Sequence, residues 1–153
     1  MKNIRVLIAD DDSHTLRFLS DFLSDDFCSV GTVSDGRALI AAAVELQPHV
    51  VITDIDMPTM NDLDAIRRLA ALMPDITVIA LTVHEEPESI ATAFAAGASV
   101  FFIKNRPPDL PERIRAIIRN LFTAHSKRFV GEALAYGNER AGNGRELVDM
   151  GMA

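Results

Sequence analysis

A single cysteine, Cys28, in 153 residues rules out an internal disulfide and a cysteine-built metal cluster. As a small apolar group in a strand-like run, Cys28 is expected to be buried. Long apolar runs are missing as well: Ala38 to Val44 is the longest near the middle of the chain, far short of the roughly 20 residues a membrane helix needs. Nor is there a signal-peptide pattern, since Lys2 and Arg5 are followed only by Val6 to Ala9 before acids begin. A soluble, cytoplasmic protein with no membrane association is therefore expected. Basic residues are in deficit, with 15 Lys and Arg against 22 Asp and Glu and a net charge of -7. That balance argues against gripping nucleic acid by phosphate neutralisation. A basic segment containing Arg113, Arg115, Arg119, Lys127 and Arg128 is expected to form the solvated face of a helix. Low-complexity tracts and long internal repeats are also absent.

What the chain does contain is enough apolar residue, 48% of the total, for one packed core. Five apolar runs of strand length alternate with segments of helical period: "IRVLIA" (4–9), "FCSVGTV" (27–33), "VVIT" (50–53), "TVIAL" (77–81) and "SVFFI" (99–103). The first is followed by Leu16, Leu19 and Leu23 with Phe18 and Phe22 beside them, the second by the alanine-rich 36–47. Leu63 to Leu72 and Glu88 to Ala96 follow the third and fourth, and a long helix from Leu110 or Pro111 follows the fifth. Continuous apolar strands alternating with helices predict a doubly wound α/β fold, a parallel sheet covered on both faces. Ser13 is the expected cap of the first helix, Ser34 or Asp35 of the second, and Gly97 the stop of the fourth. Pro48 and Pro74 fall in helix-to-strand connections. After about 125 residues the five units are complete, and what remains is too short for a second globular domain. The apolar spacing of Phe122, Phe129, Val130, Ala133 and Leu134 predicts a last helix extended over 123–136, before Gly137, Gly142 and Gly144 mark a flexible tail over 137–153.

Ligands of open parallel sheets bind outside the carboxyl ends of the strands. There the sequence places Asp10, Asp11 and Asp12 after strand one, Asp54 and Asp56 after strand three, Thr82 at strand four and Lys104 at strand five. Each alone has an ordinary reading, as a loop cap, a strand residue or a solvated lysine. Together they have a chemical logic. Carboxylates packed together repel, and a hard divalent ion such as Mg²⁺ relieves this through oxygen ligands while engaging a phosphate. One carboxylate can then attack phosphorus, with a hydroxyl and an ammonium binding the phosphoryl oxygens.

These segments resemble the receiver domain of two-component response regulators. "VLIADDDSHTLRFL" is similar to the family's first strand and acidic pair, "VVITDIDMPTMNDLDAI" to its phosphoacceptor segment, "VIALTVHEEPE" to its threonine segment and "AAGASVFFIKN" to its lysine segment. The resemblance spans about residues 3–122, so 1–122 is read as the receiver domain. It implies a flavodoxin-like (βα)5 fold with strand order 2-1-3-4-5, and a phosphorelay protein phosphorylated on Asp54 by a sensor histidine kinase, a phosphotransfer protein or a small phosphodonor. It further implies Mg²⁺ held by Asp10, Asp11, Asp54 and the backbone carbonyl of Asp56, and phosphoryl contacts from Thr82 and Lys104. Phe101 occupies the aromatic switch position, through which Thr82 would bias the helix 4/strand 5 face. Asp56, Val83 and His84 stand where phosphoryl lifetime is tuned. Beyond its own phosphorylation and dephosphorylation, no enzyme activity is implied.

There are departures. Asp62 stands where the family usually has glycine with a left-handed backbone, Val83 where a small residue is common, and Asn105 where a proline commonly follows the lysine. They leave open a receiver that signals without phosphorylation. The Asp-x-Asp spacing of 54 and 56 also suits a haloacid-dehalogenase-like phosphatase, but Pro58 breaks that pattern and Asp10 and Asp11 would then have no role. No recognition helix is visible after residue 137, so DNA binding by this chain is not expected. An exposed stripe of Phe122, Phe129, Val130 and Leu134 on the last helix would favour self-association as a homodimer, or kinase docking. Whether the chain is a stand-alone regulator or part of a longer transcription factor is not legible in it.

Overall fold

The computed structural model describes residues 2–57, 62–104 and 109–123. Its elements alternate strictly: β1 (Arg5–Ala9), α1 (Ser13–Leu23), β2 (Cys28–Val33), α2 (Gly36–Leu46), β3 (Val50–Asp54), α3 (Asp62–Leu72), β4 (Thr77–Thr82), α4 (Pro87–Ala96), β5 (Val100–Ile103) and α5 (Leu110–Leu121). All four strand pairings are parallel, in the order β2-β1-β3-β4-β5. The predicted strand boundaries hold to within a residue, and the strand order implied by the resemblance is the one observed.

Period-two alternation divides the strand side chains between the two faces of the sheet. Val6 and Ile8, Val50 and Ile52, Ile79 and Leu81, and Val100 and Phe102 face α1 and α5, where Leu19, Leu23, Ile114 and Ile118 meet them. Leu7, Ala9 and Val51 face α2 and α3, packing on Leu39, Ala43, Ala65 and Leu69. Ala80, Phe101 and Ile103 pack on Ala93 and Phe94 of α4. The central β3 is buried along its whole length, which is why it reads as an unbroken apolar run. Each of its larger side chains contributes about 1.5–3 kcal/mol by leaving water.

Local rules explain the element ends. Asp35 caps α2 by accepting the Ala38 N–H at 2.8 Å, as expected. Gly97 closes α4 with φ of 129°, and a Cβ there would stand 2.9 Å from the Cβ of Ala70, so both backbone and space require glycine. At the end of α2, Gln47 adopts the left-handed conformation (φ 50°), and Arg5 donates from Nε and Nη2 to its carbonyl at 2.9 and 2.7 Å.

Several expectations are corrected. Asp12, not Ser13, caps α1: its carboxylate accepts the His14 N–H at 3.1 Å, and Ser13 is the first helical residue. Cys28 is exposed, because Phe27 fills the core beside it and the alternating chain turns the next residue of this edge strand outward. Arg115 and Arg119 are not merely solvated. Both pair with Asp26 at the far end of α1, and the Arg115 guanidinium lies 4.7 Å from the centroid of Phe22. Asp62 opens α3 in helical conformation and is not left-handed. Phe122 is the C-cap of α5 and packs partly buried on the core, with its ring edge-to-face with His49 at 5.9 Å, so it does not join an exposed stripe. Apart from Thr123, the expected helix extension over 123–136 and the tail over 137–153 lie outside the described residues, as does Asn105.

Candidate functional site

The strand ladders continue one step past their ends and so aim the polar residues. Asp10 N donates to Val33 O at 3.0 Å, Ile55 N to Leu81 O at 2.9 Å and Lys104 N to Thr82 O at 2.7 Å. Register places Asp54 opposite Leu81 and Thr82 opposite Ile103. The result is a cluster of polar residues at the carboxyl edge of a sheet whose core-facing side chains are predominantly apolar. Asp10, Asp54 and Thr82 are each at least 96% buried, with exposures of 1%, 4% and 0%.

Lys104 joins the acids. Its Nζ lies 2.8 Å from Asp10 Oδ2 and 3.1 Å from Asp54 Oδ2. The other oxygens are held by backbone: Asp10 Oδ1 accepts from Asp12 N at 2.9 Å, and Asp54 Oδ1 accepts from Asp56 N at 2.9 Å. Burial pushes the Asp54 carboxyl above its ordinary range, and the Asp56 N–H and the Lys104 charge only partly restore it. Burial pulls Lys104 down, but its hydrogen bond to Asp10 and the charges of Asp54 and Asp10 outweigh this and raise it.

Asp10, Asp11 and Asp54 each place a carboxylate oxygen within 4.8 Å of the others, with Asp11 exposed at the rim. Three carboxylates against the one ammonium leave a surplus of acid, and the donors are all hard oxygens. This set fits a divalent cation of the Mg²⁺ type. The Asp56 side chain does not join it. Its Oδ2 accepts the Thr82 hydroxyl at 2.8 Å, and its Oδ1 lies 3.4 Å from His84 Nε2.

Lys104, Asp10, Asp11 and Asp54 are thus brought together, while the Thr82 hydroxyl is engaged by Asp56 and His84 instead. Phe101 lies one layer below, fully buried and 6.1 Å from Phe94 between ring centroids. Val83 is 48% exposed. His84 is exposed, with Nδ1 3.7 Å from Glu86 Oε2. Sequence reasoning gave Asp12 no role, yet it orders the acidic loop: its N–H holds Asp10 while its carboxylate takes the His14 N–H and the Thr15 hydroxyl. Those two bonds, the Thr15 one foremost, hold the Asp12 carboxyl below its ordinary range. The signal was available, since Asp just before an amphipathic period is a strong N-cap. Beside Lys104 a groove of about 470 Å³ opens between α1 and α5, lined by His14, Thr15, Phe18, Leu19, Leu110 and Pro111 among others.

Comparison with known proteins agrees with this geometry. Residues 6–119 match the family described as the response regulator receiver domain. Response regulator GacA of Pseudomonas protegens is 38% identical over 120 residues, covering 74% of this chain and 54% of that protein. The protein-glutamate methylesterase/protein-glutamine glutaminase of Geobacillus kaustophilus is 33% identical over 111 residues, covering 71% of this chain and 32% of that protein. This chain thus spans about half or less of these relatives. Among solved structures, the isolated receiver domain of RcsB from Salmonella enterica serovar Typhimurium, determined with the phosphomimetic BeF3-, is 27% identical. It superposes with a TM-score of 0.69 over 84% of this chain and 98% of that one. Family match, topology and the Asp10–Asp54–Lys104 cluster lead to one assignment: the chain belongs to the response regulator receiver domain family.

Proposed function

We propose that the chain is a phosphorelay switch that accepts a phosphoryl group on Asp54, and that the receiver unit is residues 1–122. The observation that carries this reading is Lys104 Nζ bridging two buried carboxylates from different strands, Asp10 and Asp54. An Asp54 oxygen forms the new bond to phosphorus, while the P–N bond of a kinase or phosphotransfer-protein phosphohistidine breaks and imidazole leaves. With acetyl phosphate, a P–O bond breaks and acetate leaves. Lys104 and the Thr82 hydroxyl bind the phosphoryl oxygens as negative charge grows on them. Asp10, Asp11, Asp54 and the Asp56 carbonyl are the residues that would hold Mg²⁺, which when bound neutralises charge on the transferred group. Burial of Asp54 keeps its carboxylate poorly hydrated and available to attack.

As receiver chemistry, the reaction is confined to the protein's own aspartyl phosphate, which removes the phosphatase reading of Asp54 and Asp56. The assembled acids and lysine support phosphorylation over a receiver that works without it. Asp56, Val83 and His84 line the rim of the site and are assigned to tuning the phosphoryl lifetime. Output is assigned to the α4/β5 face, where Phe101 packs on Phe94. Among the described residues no helix is long and apolar enough to cross a membrane. Incubation with Mg²⁺ and acetyl phosphate, followed by intact mass spectrometry, is expected to add one phosphoryl group to the wild type and none to Asp54→Asn. An unmodified wild type would send the reading back to a non-phosphorylated receiver. Homodimerisation through 123–136 is tested by sedimentation of the full chain against one ending at Thr123; identical monomers would exclude it.

A further inference from the structure

We propose that Asp56 is a positioning residue that latches Thr82 away from Asp54 in the unphosphorylated protein. Phosphorylation would then have to transfer the threonine hydroxyl from one acid to the phosphoryl group on the other. The inference rests on Asp54 as phosphoacceptor.

A threonine hydroxyl has one hydrogen to donate. Here it goes to Asp56 Oδ2 at 2.8 Å, while the Thr82 Oγ1 itself accepts the His84 N–H at 3.1 Å. Thr82 is fully buried, and neither of its hydroxyl bonds is to Asp54, whose own oxygens are held by Lys104 and Asp56 N. A hydrogen bond to an ionised carboxylate is among the stronger kinds. In this arrangement the switch threonine is therefore already satisfied, and any phosphoryl oxygen must compete with Asp56 for it.

The latch reaches further through the chain. The Thr82 oxygen fixes the His84 backbone, and the His84 ring lies between Asp56 at 3.4 Å and Glu86 at 3.7 Å. The segment from Val83 to Glu86 is thus tied to Thr82 through its backbone and to Asp56 through the His84 ring, and it leads directly into α4 at Pro87. Phe101 is already fully buried against Phe94. Release of Thr82 therefore acts first on the segment that enters α4, and this segment is the element the hydroxyl holds in place.

The test is the affinity for beryllofluoride in the presence of Mg²⁺, measured by titration calorimetry on the full chain. Wild type, Asp56→Ala, Thr82→Val and the double variant complete a cycle. With the competing acceptor removed, Asp56→Ala is expected to bind about tenfold tighter, and Asp56→Asn, which keeps an acceptor oxygen, less so. In the Thr82→Val background the gain from Asp56→Ala is expected to vanish. A gain of the same size there would show that Asp56 acts by charge repulsion alone and would overturn the latch, as would no gain in either background. The methyl resonance of Thr82 supplies a second readout: in ligand-free Asp56→Ala it should already lie shifted toward its beryllofluoride-bound position, and an unmoved resonance counts against the proposal. An Asp54→Asn arm separates the two levels. If wild type and Asp54→Asn respond identically to beryllofluoride, the phosphoacceptor reading itself fails and the latch falls with it.

Discussion

The two edges of the same sheet are built on opposite principles. At the amino edge, polar groups are matched one to one. Arg5 N donates to His49 Nδ1 at 3.0 Å, His49 N returns a bond to Arg5 O at 2.9 Å, and the Arg5 guanidinium satisfies the exposed end of α2 at Gln47. Phe122 then closes over His49. At the carboxyl edge, Asp10 and Asp54 share the ammonium of Lys104, and the exposed Asp11 carboxylate lies within 4.8 Å of both acids. Matched groups stabilise a fold, whereas a surplus of buried acid strains it until something positive arrives. The contrast separates structural polarity from functional polarity without reference to any relative.

The largest break in that comparison is expected from Lys104→Ala, which removes a cation at the reacting centre. The rate of Asp54 phosphorylation by acetyl phosphate should fall about 10²-fold or more, while Arg5→Ala at the opposite edge should leave it unchanged. In urea unfolding the exposed Gln47 carbonyl is rehydrated when Arg5 is lost, so Arg5→Ala should cost only about 0.5–1 kcal/mol. Lys104→Ala leaves the buried Asp10 and Asp54 without their shared cation and should cost about 3 kcal/mol in the Mg²⁺-free protein; equal losses at the two edges would erase the distinction.

Asp54→Asn should instead stabilise the Mg²⁺-free protein at neutral pH, by about 1 kcal/mol. The folded-state carboxyl titrates above its unfolded value of 3.8. Its contribution is therefore fully present below 3.8 and lost as pH rises through the folded value, so at neutral pH the charged form is a burden that asparagine lacks. The difference between the two proteins should close as pH falls below 3.8, and adding Mg²⁺ should narrow it at pH 7, since the ion binds the wild-type acids more tightly. Equal melting temperatures at pH 7 without Mg²⁺ would contradict the strain.

The smallest effect is expected at His49. Burial first, and the Arg5 charge second, hold its imidazole below 6.5. The unfolded chain then takes up the proton first, so stability is fully present above 6.5 and declines as pH falls through the folded value, with a slope of at most about 1.4 kcal/mol per pH unit. Replacement by glutamine should flatten this slope by that one group, as followed in urea titrations between pH 7 and 5.

Much of this was legible in the chain. The apolar runs located all five strands: β1 and β3 are buried parallel strands with few polar interruptions, and the edge strand β2, which has no buried residue, gave a weaker run. The residues just past the ends of those runs then proved to include Asp10, Asp54, Thr82 and Lys104, since a strand end is also a fixed place in space. Side-chain aim was not legible. The Asp56 carboxylate leaves the acids and turns to Thr82, 26 positions away, a choice made by two adjacent loops and by no local pattern. Asp12 and Ser13 are both able to cap, and spacing alone does not choose between neighbours. Phe122 and Arg119 fit the exposed face of a lengthening helix until His49 and Asp26, distant in sequence, supply their partners. Periodicity reports which face a residue occupies, not what waits opposite it.

The central claim is that the acid surplus at the carboxyl edge exists to place a phosphoryl group on Asp54. Its most direct test is peptide mapping by mass spectrometry after acetyl phosphate treatment, with Mg²⁺ and with the metal chelated. The account predicts a single phosphoryl group, on the peptide carrying Asp54, formed only with Mg²⁺ and absent from Asp54→Asn. Modification at another residue, or an unmodified Asp54 in the presence of Mg²⁺, would contradict it.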